Sequence, residues 1–202
     1  MMTLYSMPSS GNSYKVRLLL ALQGRAYQCI DVEYDTEALA KAHESGALPF
    51  GKAPTLHLGD DRVLGESNAI LFWLGEGSDF IPQDAFARAQ MLSWMFWEQN
   101  QHEGVIAVRA ALLHYAHRKP EATPQRLADL LERGNALLQV MEDALKGRNW
   151  LVGDAISLAD ICLYAYTHTA ESRGGFDLSP FPALGAWLDR IAALDGYVGL
   201  DG

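Results

Sequence analysis

The 202-residue sequence predicts an α/β N-terminal domain followed by an all-α C-terminal domain. Three observations carry that expectation. The first 80 residues alternate short apolar runs with short amphipathic stretches, punctuated by Gly and Pro. Beyond Asp84 no convincing strand remains, and leucines and aromatics recur at helical spacing. Composition shifts at residues 77–84, which places a linker there and domains at 1–77 and 84–202.

Residues 3–7 (TLYSM) form a short apolar run closed by Pro8, which suits a strand. Residues 13–23 carry a dense apolar face with Lys15 and Arg17 opposite, and Gly24 follows as a stop signal, so a helix is expected. Residues 27–32 are a second strand, and residues 36–45, ended by Gly46, a short helix. Two short runs, 55–58 and 62–65, are joined by Gly59, Asp60 and Asp61, a hairpin signal. Residues 66–76 then read as a helix ended by Gly77. A βαβ unit, a helix, a hairpin and a last helix make a mixed sheet with helices on both sides.

In the second domain, residues 84–118 are Trp-rich and helical in pattern until Pro120 and Pro124 interrupt them. Leu127, Leu130, Leu131, Leu137, Leu138, Met141 and Leu145 mark one buried helical face. Residues 157–169 and 182–194 give two more helices.

Composition excludes several functions. The formal net charge is −9, and residues 1–80 carry 6 basic and 10 acidic side chains against 10 and 15 in the remainder, so neither part is a basic arm for nucleic acid. The two cysteines, Cys29 and Cys162, each lie in an apolar stretch and are expected to be buried, reduced thiols. No CxxC occurs, which removes a dithiol redox pair and a zinc knuckle. The six histidines form no HExxH and no His/Cys cluster; His114 and His117 share a helix face that could bind a stray metal, but a solvated face is the simpler reading, so no metal is expected. GxSxG and GxGxxG are absent. No basic segment followed by an apolar one opens the chain, and no apolar run approaches the ~20 residues that cross a bilayer, so a cytoplasmic protein is expected.

Four stretches carry chemistry or fold information. SMPSSGNSYKVRLLL (6–20) places Ser9, Ser10, Asn12 and Ser13 between the first strand and the first helix. One hydroxyl caps the helix, but a cap does not require all of them, and a helix N-terminus also suits an anion. GKAPTL (51–56) sets Pro54 at the first position of a strand, and a cis Ala53–Pro54 bond would present the Ala53 backbone to a peptide-like ligand. GESNAILFWL (65–74) starts a helix with Glu66 and Ser67, either as an ordinary first turn or as a carboxylate and hydroxyl for an amino-acid-like group. LVGDAISLADICLYAY (151–166) gives Ser157 and Asp160 the spacing of a capping box.

In this order and spacing the four stretches resemble the soluble glutathione transferase family over nearly the whole chain, and SGNSYK looks like its bacterial theta-, delta- and beta-like branch. The resemblance implies a thioredoxin-like N-terminal domain, a homodimer, and glutathione as co-substrate with no resident cofactor. It implies that Glu66 and Ser67 hold the γ-glutamyl end of glutathione, that Ala53, before cis-Pro54, pairs with its cysteinyl backbone, and that Lys52 lies near its glycyl end. Ser10 matches the family's catalytic serine, with Asn12 and Ser13 as further candidates. Tyr5 matches the tyrosine of other branches, although a strand aromatic in the core is the simpler reading. A small hydrophobic electrophile would meet Met7, Ile106, Arg109 and Tyr166. This sequence departs from the family in carrying Leu48 and Ala53 in LPFGKAP, where Asn and Val are usual, and in having no cysteine in the 10–13 loop, which speaks against a protein-thiol redox mechanism.

The chemistry asked of these residues is modest. A thiol of pKa ~8.5 is about 3% ionised at pH 7. Lowering it to ~6.5 requires about 2.7 kcal/mol. One charge-assisted hydrogen bond supplies roughly 1.5–3 kcal/mol, and a helix N-terminus about 0.3–1. A hydroxyl at a helix start is therefore sufficient. Two other readings share the fold: a glutathione-dependent disulfide reductase or peroxidase, and a non-catalytic binding module.

Overall fold

The computed structural model describes residues 1–200. The chain divides into two compact units, Met1–Gly77 with the segment from Ala193 onward, and Ser78–Ala192. The first unit ends at Gly77, where the sequence places the end of the first domain, but the 78–84 stretch and the C-terminal segment are assigned differently. Residues 78–84 belong to the second unit, where Ile81 is buried and the Phe80 carbonyl accepts the Leu158 N–H at 2.9 Å. The C-terminal segment belongs to the first, where Tyr14 Oη–H donates to the Val198 carbonyl at 2.8 Å and the Gly196 backbone, at φ +82°, lies against Ala21.

The first unit runs β1 (Thr3–Ser6), α1 (Gly11–Leu22), β2 (Gln28–Asp31), α2 (Glu37–Glu44), β3 (Thr55–His57), β4 (Val63–Leu64) and α3 (Ser67–Gly75). The sheet order is β2-β1-β3-β4, with β1 parallel to β2 and the other pairs antiparallel. This is the expected mixed sheet. Alternation along β1 turns Leu4 and Ser6 inward together, while Tyr5 packs against Val32, Ala42, Ala47 and Leu48. α1 packs against α3, and Leu19, Leu20, Leu56, Ile70 and Leu71 are sealed within the unit.

Two sequence expectations are corrected here. Lys15 and Arg17 do not form a solvated face: Lys15 is 0% exposed and Arg17 8%. The cause is tertiary: α1 packs against α3, and carbonyls of the C-terminal segment accept from Tyr14 and Arg17. Cys29 is exposed, because β2 is an edge strand and its apolar run is not covered where Cys29 stands.

The second unit contains helices and no strand among its described residues: α4 (Ala85–Trp97), α5 (Val108–His114), α6 (Pro124–Leu145), α7 (Leu158–Thr167) and α8 (Pro182–Ala192). The long helix expected over 84–118 is interrupted. Residues Glu98–Ala107 wind as a π-helix, and a 3₁₀ turn over Ala116–Glu121 contains Pro120. The widened turns hold the buried pair Glu98 and His102, which meet the Cys162 thiol and the Thr167 hydroxyl of α7. α6 begins at Pro124, with Thr123 Oγ1 accepting the Arg126 N–H, and buries Leu130, Leu138, Met141 and Leu145 as its periodicity predicts. At the start of α7 the Asp160 carboxylate accepts four donors: the N–H of Leu151 and of Ser157, the Ser157 hydroxyl, and the Trp187 indole of α8. The capping box thus also ties a loop and a second helix together. Among the described residues no helix is long and apolar enough to cross a membrane.

Candidate functional site

The candidate site is assembled from two helix starts and one loop of the first unit. Pro8 ends β1, and residues 7–10 turn tightly into α1, with the Ser10 N–H on the Met7 carbonyl at 3.0 Å. Ser10 is the N-cap of α1, its Oγ accepting the Ser13 N–H at 3.5 Å. A hydroxyl that accepts from the helix still owns a proton to donate. Ser13 is sealed, and its Oγ accepts the Met7 N–H at 2.9 Å. The loop is held from below by Arg17, whose guanidinium donates to Ser6 Oγ at 2.6 Å, to the Pro8 carbonyl at 3.1 Å and to the Leu200 carbonyl at 2.9 Å. From the side, Glu33 Oε2 accepts the Ser9 N–H at 2.9 Å.

The second helix start is that of α3. Glu66 is exposed and holds φ +64°, a left-handed conformation that is uncommon for a residue with a side chain. Such outliers persist where the surrounding structure enforces them and cluster at binding sites. Ser67 follows at 4% exposure, and its hydroxyl donates to Asn12 Oδ1 at 3.1 Å. The same oxygen receives Lys15 Nζ at 2.8 Å, and Asn68 Oδ1 lies 3.4 Å from that ammonium. The N-termini of α1 and α3 are thereby joined. Neither helix has an acidic side chain in its first turn, Glu66 standing as the N-cap of α3, so each start keeps the positive end of its helix. Such a place suits an anion held by backbone N–H groups.

The loop before β3 completes the group. The Ala53–Pro54 peptide is cis, Thr55 Oγ1–H donates to the Lys52 carbonyl at 3.0 Å, and the Lys52 side chain is exposed. β3 lies beside β1, which brings Ala53 and Pro54 to the strand that leads into the Ser10 loop. His57 Nε2 bonds the Ala47 carbonyl at 2.9 Å, and its ring lies 5.0 Å from that of Tyr5. Tyr5 is thus a packed aromatic on the face of β1 opposite Ser6.

Of the residues expected at a second substrate, Met7 and Tyr166 are half-buried, in the first and second unit respectively. Ile106 is sealed, and Arg109 braces the helical unit, donating to the Gly174 carbonyl at 2.7 Å and the Leu127 carbonyl at 2.6 Å. Sequence reasoning missed Lys15, Arg17, Glu33 and Asn68. The i, i+3 spacing of Asn12 and Lys15 on one helix was a signal for the first. Nothing local marked Glu33, which reaches the loop from 24 residues away. Among the described residues no three His, Cys, Asp or Glu side chains are placed to hold a metal ion.

Comparison with known proteins identifies the family. The family model of the glutathione S-transferase N-terminal domain matches residues 4–79, and that of the C-terminal domain matches residues 105–195. A crystal structure of a glutathione S-transferase from Pseudomonas fluorescens is 40% identical, with a TM-score of 0.91 and 98% of each chain covered. The disulfide-bond oxidoreductase YfcG of Escherichia coli is 28% identical over 95% of this chain and 90% of its own. A glutathione transferase of Burkholderia graminis, solved with two glutathione molecules bound per subunit, is 26% identical with a TM-score of 0.83, covering 96% of this chain and 85% of its own.

Proposed function

Because the chain belongs to the glutathione S-transferase family, we propose that it binds glutathione across the α1 and α3 N-termini and activates its thiol for attack on a small hydrophobic electrophile. The observation that carries this reading is the Asn12–Ser67 hydrogen bond, which fuses two helix starts into one anion-attracting corner beside the Ser10 hydroxyl. The Glu66 carboxylate meets the γ-glutamyl ammonium, and the Ser67 N–H meets its carboxylate. The Ala53 backbone pairs with the cysteinyl unit, and Lys52 attends the glycyl carboxylate. That register sets the sulfur at the start of α1. There Ser10 Oγ–H, helped by Asn12, donates to the thiolate, as in the serine-using theta- and delta-like branch. Ser13, sealed and occupied by the Met7 N–H, shapes the loop. Neither a metal nor a general base enters the step: the bound thiol loses its proton to solvent, and its sulfur forms the new bond to carbon as the leaving group departs.

A second reading has its own support. The relative YfcG is a disulfide-bond oxidoreductase, and the Burkholderia graminis enzyme holds two glutathione molecules. The same thiolate attacking a disulfide sulfur, with a second glutathione resolving the mixed disulfide, fits the site equally well. Rates with an aryl halide and with a small mixed disulfide, measured alongside calorimetric titration with glutathione, separate the two. Binding with turnover of the halide supports the transferase, turnover of the disulfide alone supports the reductase, and binding with neither leaves a non-catalytic module.

The proposed enzyme is a homodimer, with residues 91–101 and the α3 helix near the two-fold axis. Phe96 at 65% and Trp73 at 38% exposure are large apolar side chains left at the surface of their units. Light scattering at micromolar concentration is expected to give about twice the chain mass, and a monomer contradicts the dimer.

A further inference from the structure

Lys15 is a cation with no role in the binding scheme above, yet it is fully buried one turn below the candidate site. A buried ammonium persists only where its donors reach acceptors, and here they reach Asn12 Oδ1 at 2.8 Å and Asn68 Oδ1 at 3.4 Å.

Its effect on Asn12 is specific. A carboxamide presents an oxygen that accepts and a nitrogen that donates, and the two limbs exchange by rotation. An ammonium only donates, so the Asn12 limb facing Lys15 is oxygen. The Ser67 hydroxyl donates to that same oxygen at 3.1 Å. Two donors on one limb fix the amide, and its nitrogen lies on the opposite side from Lys15 and Ser67. The Ser67 oxygen, its own proton directed at Asn12, keeps lone pairs that can accept.

We infer that Lys15 is a positioning residue that sets the donor–acceptor polarity of the glutathione site: it holds the Asn12 amide with N–H directed to the bound thiolate, and the Ser67 oxygen ready to accept from the γ-glutamyl ammonium. The inference rests on the glutathione-binding reading and adds to it a residue that touches no substrate. In the absence of Lys15 the amide can rotate, and an oxygen aimed at sulfur disfavours the thiolate.

The test is an ultraviolet titration of the thiolate of bound glutathione in the native protein, Asn12→Ala, Lys15→Met and the double variant. Calorimetry first establishes that the native protein binds glutathione; failure there overturns the binding reading and this inference with it. Given binding, Asn12→Ala and Lys15→Met are each expected to raise the thiol pKa by about half a unit to one unit, roughly three- to tenfold less thiolate at a pH below the pKa. The double variant is expected to match the single ones, because Lys15 acts through Asn12. Additive shifts, or no shift in Lys15→Met, overturn the inference while leaving glutathione binding intact. Lys15→Gln covers the case in which Lys15→Met does not fold. Its amide can accept as well as donate, so the Asn12 limb facing it is no longer held as oxygen; a thiol pKa raised as far as in Asn12→Ala supports the inference, and an unchanged one overturns it.

Discussion

The Ser67 hydroxyl donates to the Asn12 carboxamide oxygen at 3.1 Å, joining the first turns of two helices across 55 residues of sequence. The bond gives α1 and α3 a common positive end. Ser10 stands at one side of that end as an N-cap, and Glu66 at the other in a left-handed conformation.

Glutathione binding is expected to depend on the α3 half of this corner. Glu66→Ala with Ser67→Ala removes the carboxylate proposed to meet the ligand's ammonium and the hydroxyl that ties α3 to α1. Each charge-assisted contact contributes roughly 1.5–3 kcal/mol, so affinity should fall at least about a hundredfold. Calorimetric titration with glutathione checks it, and unchanged affinity removes the γ-glutamyl assignment.

Stability is expected to depend on Asp160 far more than a helix cap alone suggests. A cap residue contributes about 1 kcal/mol. Asp160 is fully buried, and burial pushes its carboxyl above the usual range while four donors pull against that shift. Replacement by Ala leaves the Trp187 indole and two backbone N–H groups without their acceptor. The expected loss is on the order of 3–5 kcal/mol, seen as a large drop in the urea midpoint. A loss near 1 kcal/mol would show that only the helix cap matters.

The thiols are expected to differ sharply. Cys29 is exposed, but partial desolvation, together with neighbouring Asp31, holds its thiol above the usual range. The thiolate is the reactive form, so alkylation at pH 7 should be slower than that of free glutathione and should climb as pH passes the ordinary thiol pKa. Cys162 is sealed beside Glu98 and should react only after unfolding. Mass spectrometry is expected to find one adduct on the native protein and two in denaturant.

Much of this was legible in the sequence, for identifiable reasons. The strand and helix order followed from apolar periodicity, and the capping box from the Ser157–Asp160 spacing, because both are local signals. Lys15 and Arg17 were misread because helical periodicity sets a side chain's angle about its own axis and is silent on what covers that side. The C-terminal segment that accepts Arg17 arrives from 183 residues away. The π-helical stretch escaped for a related reason. It carries Glu98 and His102, buried against Cys162 and Thr167, a tertiary pairing with no imprint on local propensity. The Glu66 backbone strain and the Ser9–Glu33 bond are likewise set by the assembled fold.

The central claim is that the start of α1 turns bound glutathione into a thiolate through the Ser10 hydroxyl, and the ultraviolet thiolate signal against pH tests it most directly. Ser10→Ala is expected to raise the pKa of bound glutathione by about one unit or more, equivalent to roughly 1.4 kcal/mol, and to slow conjugation at pH 7 about tenfold. Affinity should change little, because other residues are proposed to hold the peptide. Tyr5→Phe should leave the curve in place, since Tyr5 packs against Val32, Ala42, Ala47 and Leu48 on the far face of β1. A curve that moves in Tyr5→Phe and stays still in Ser10→Ala would contradict the account and assign the thiol to the tyrosine.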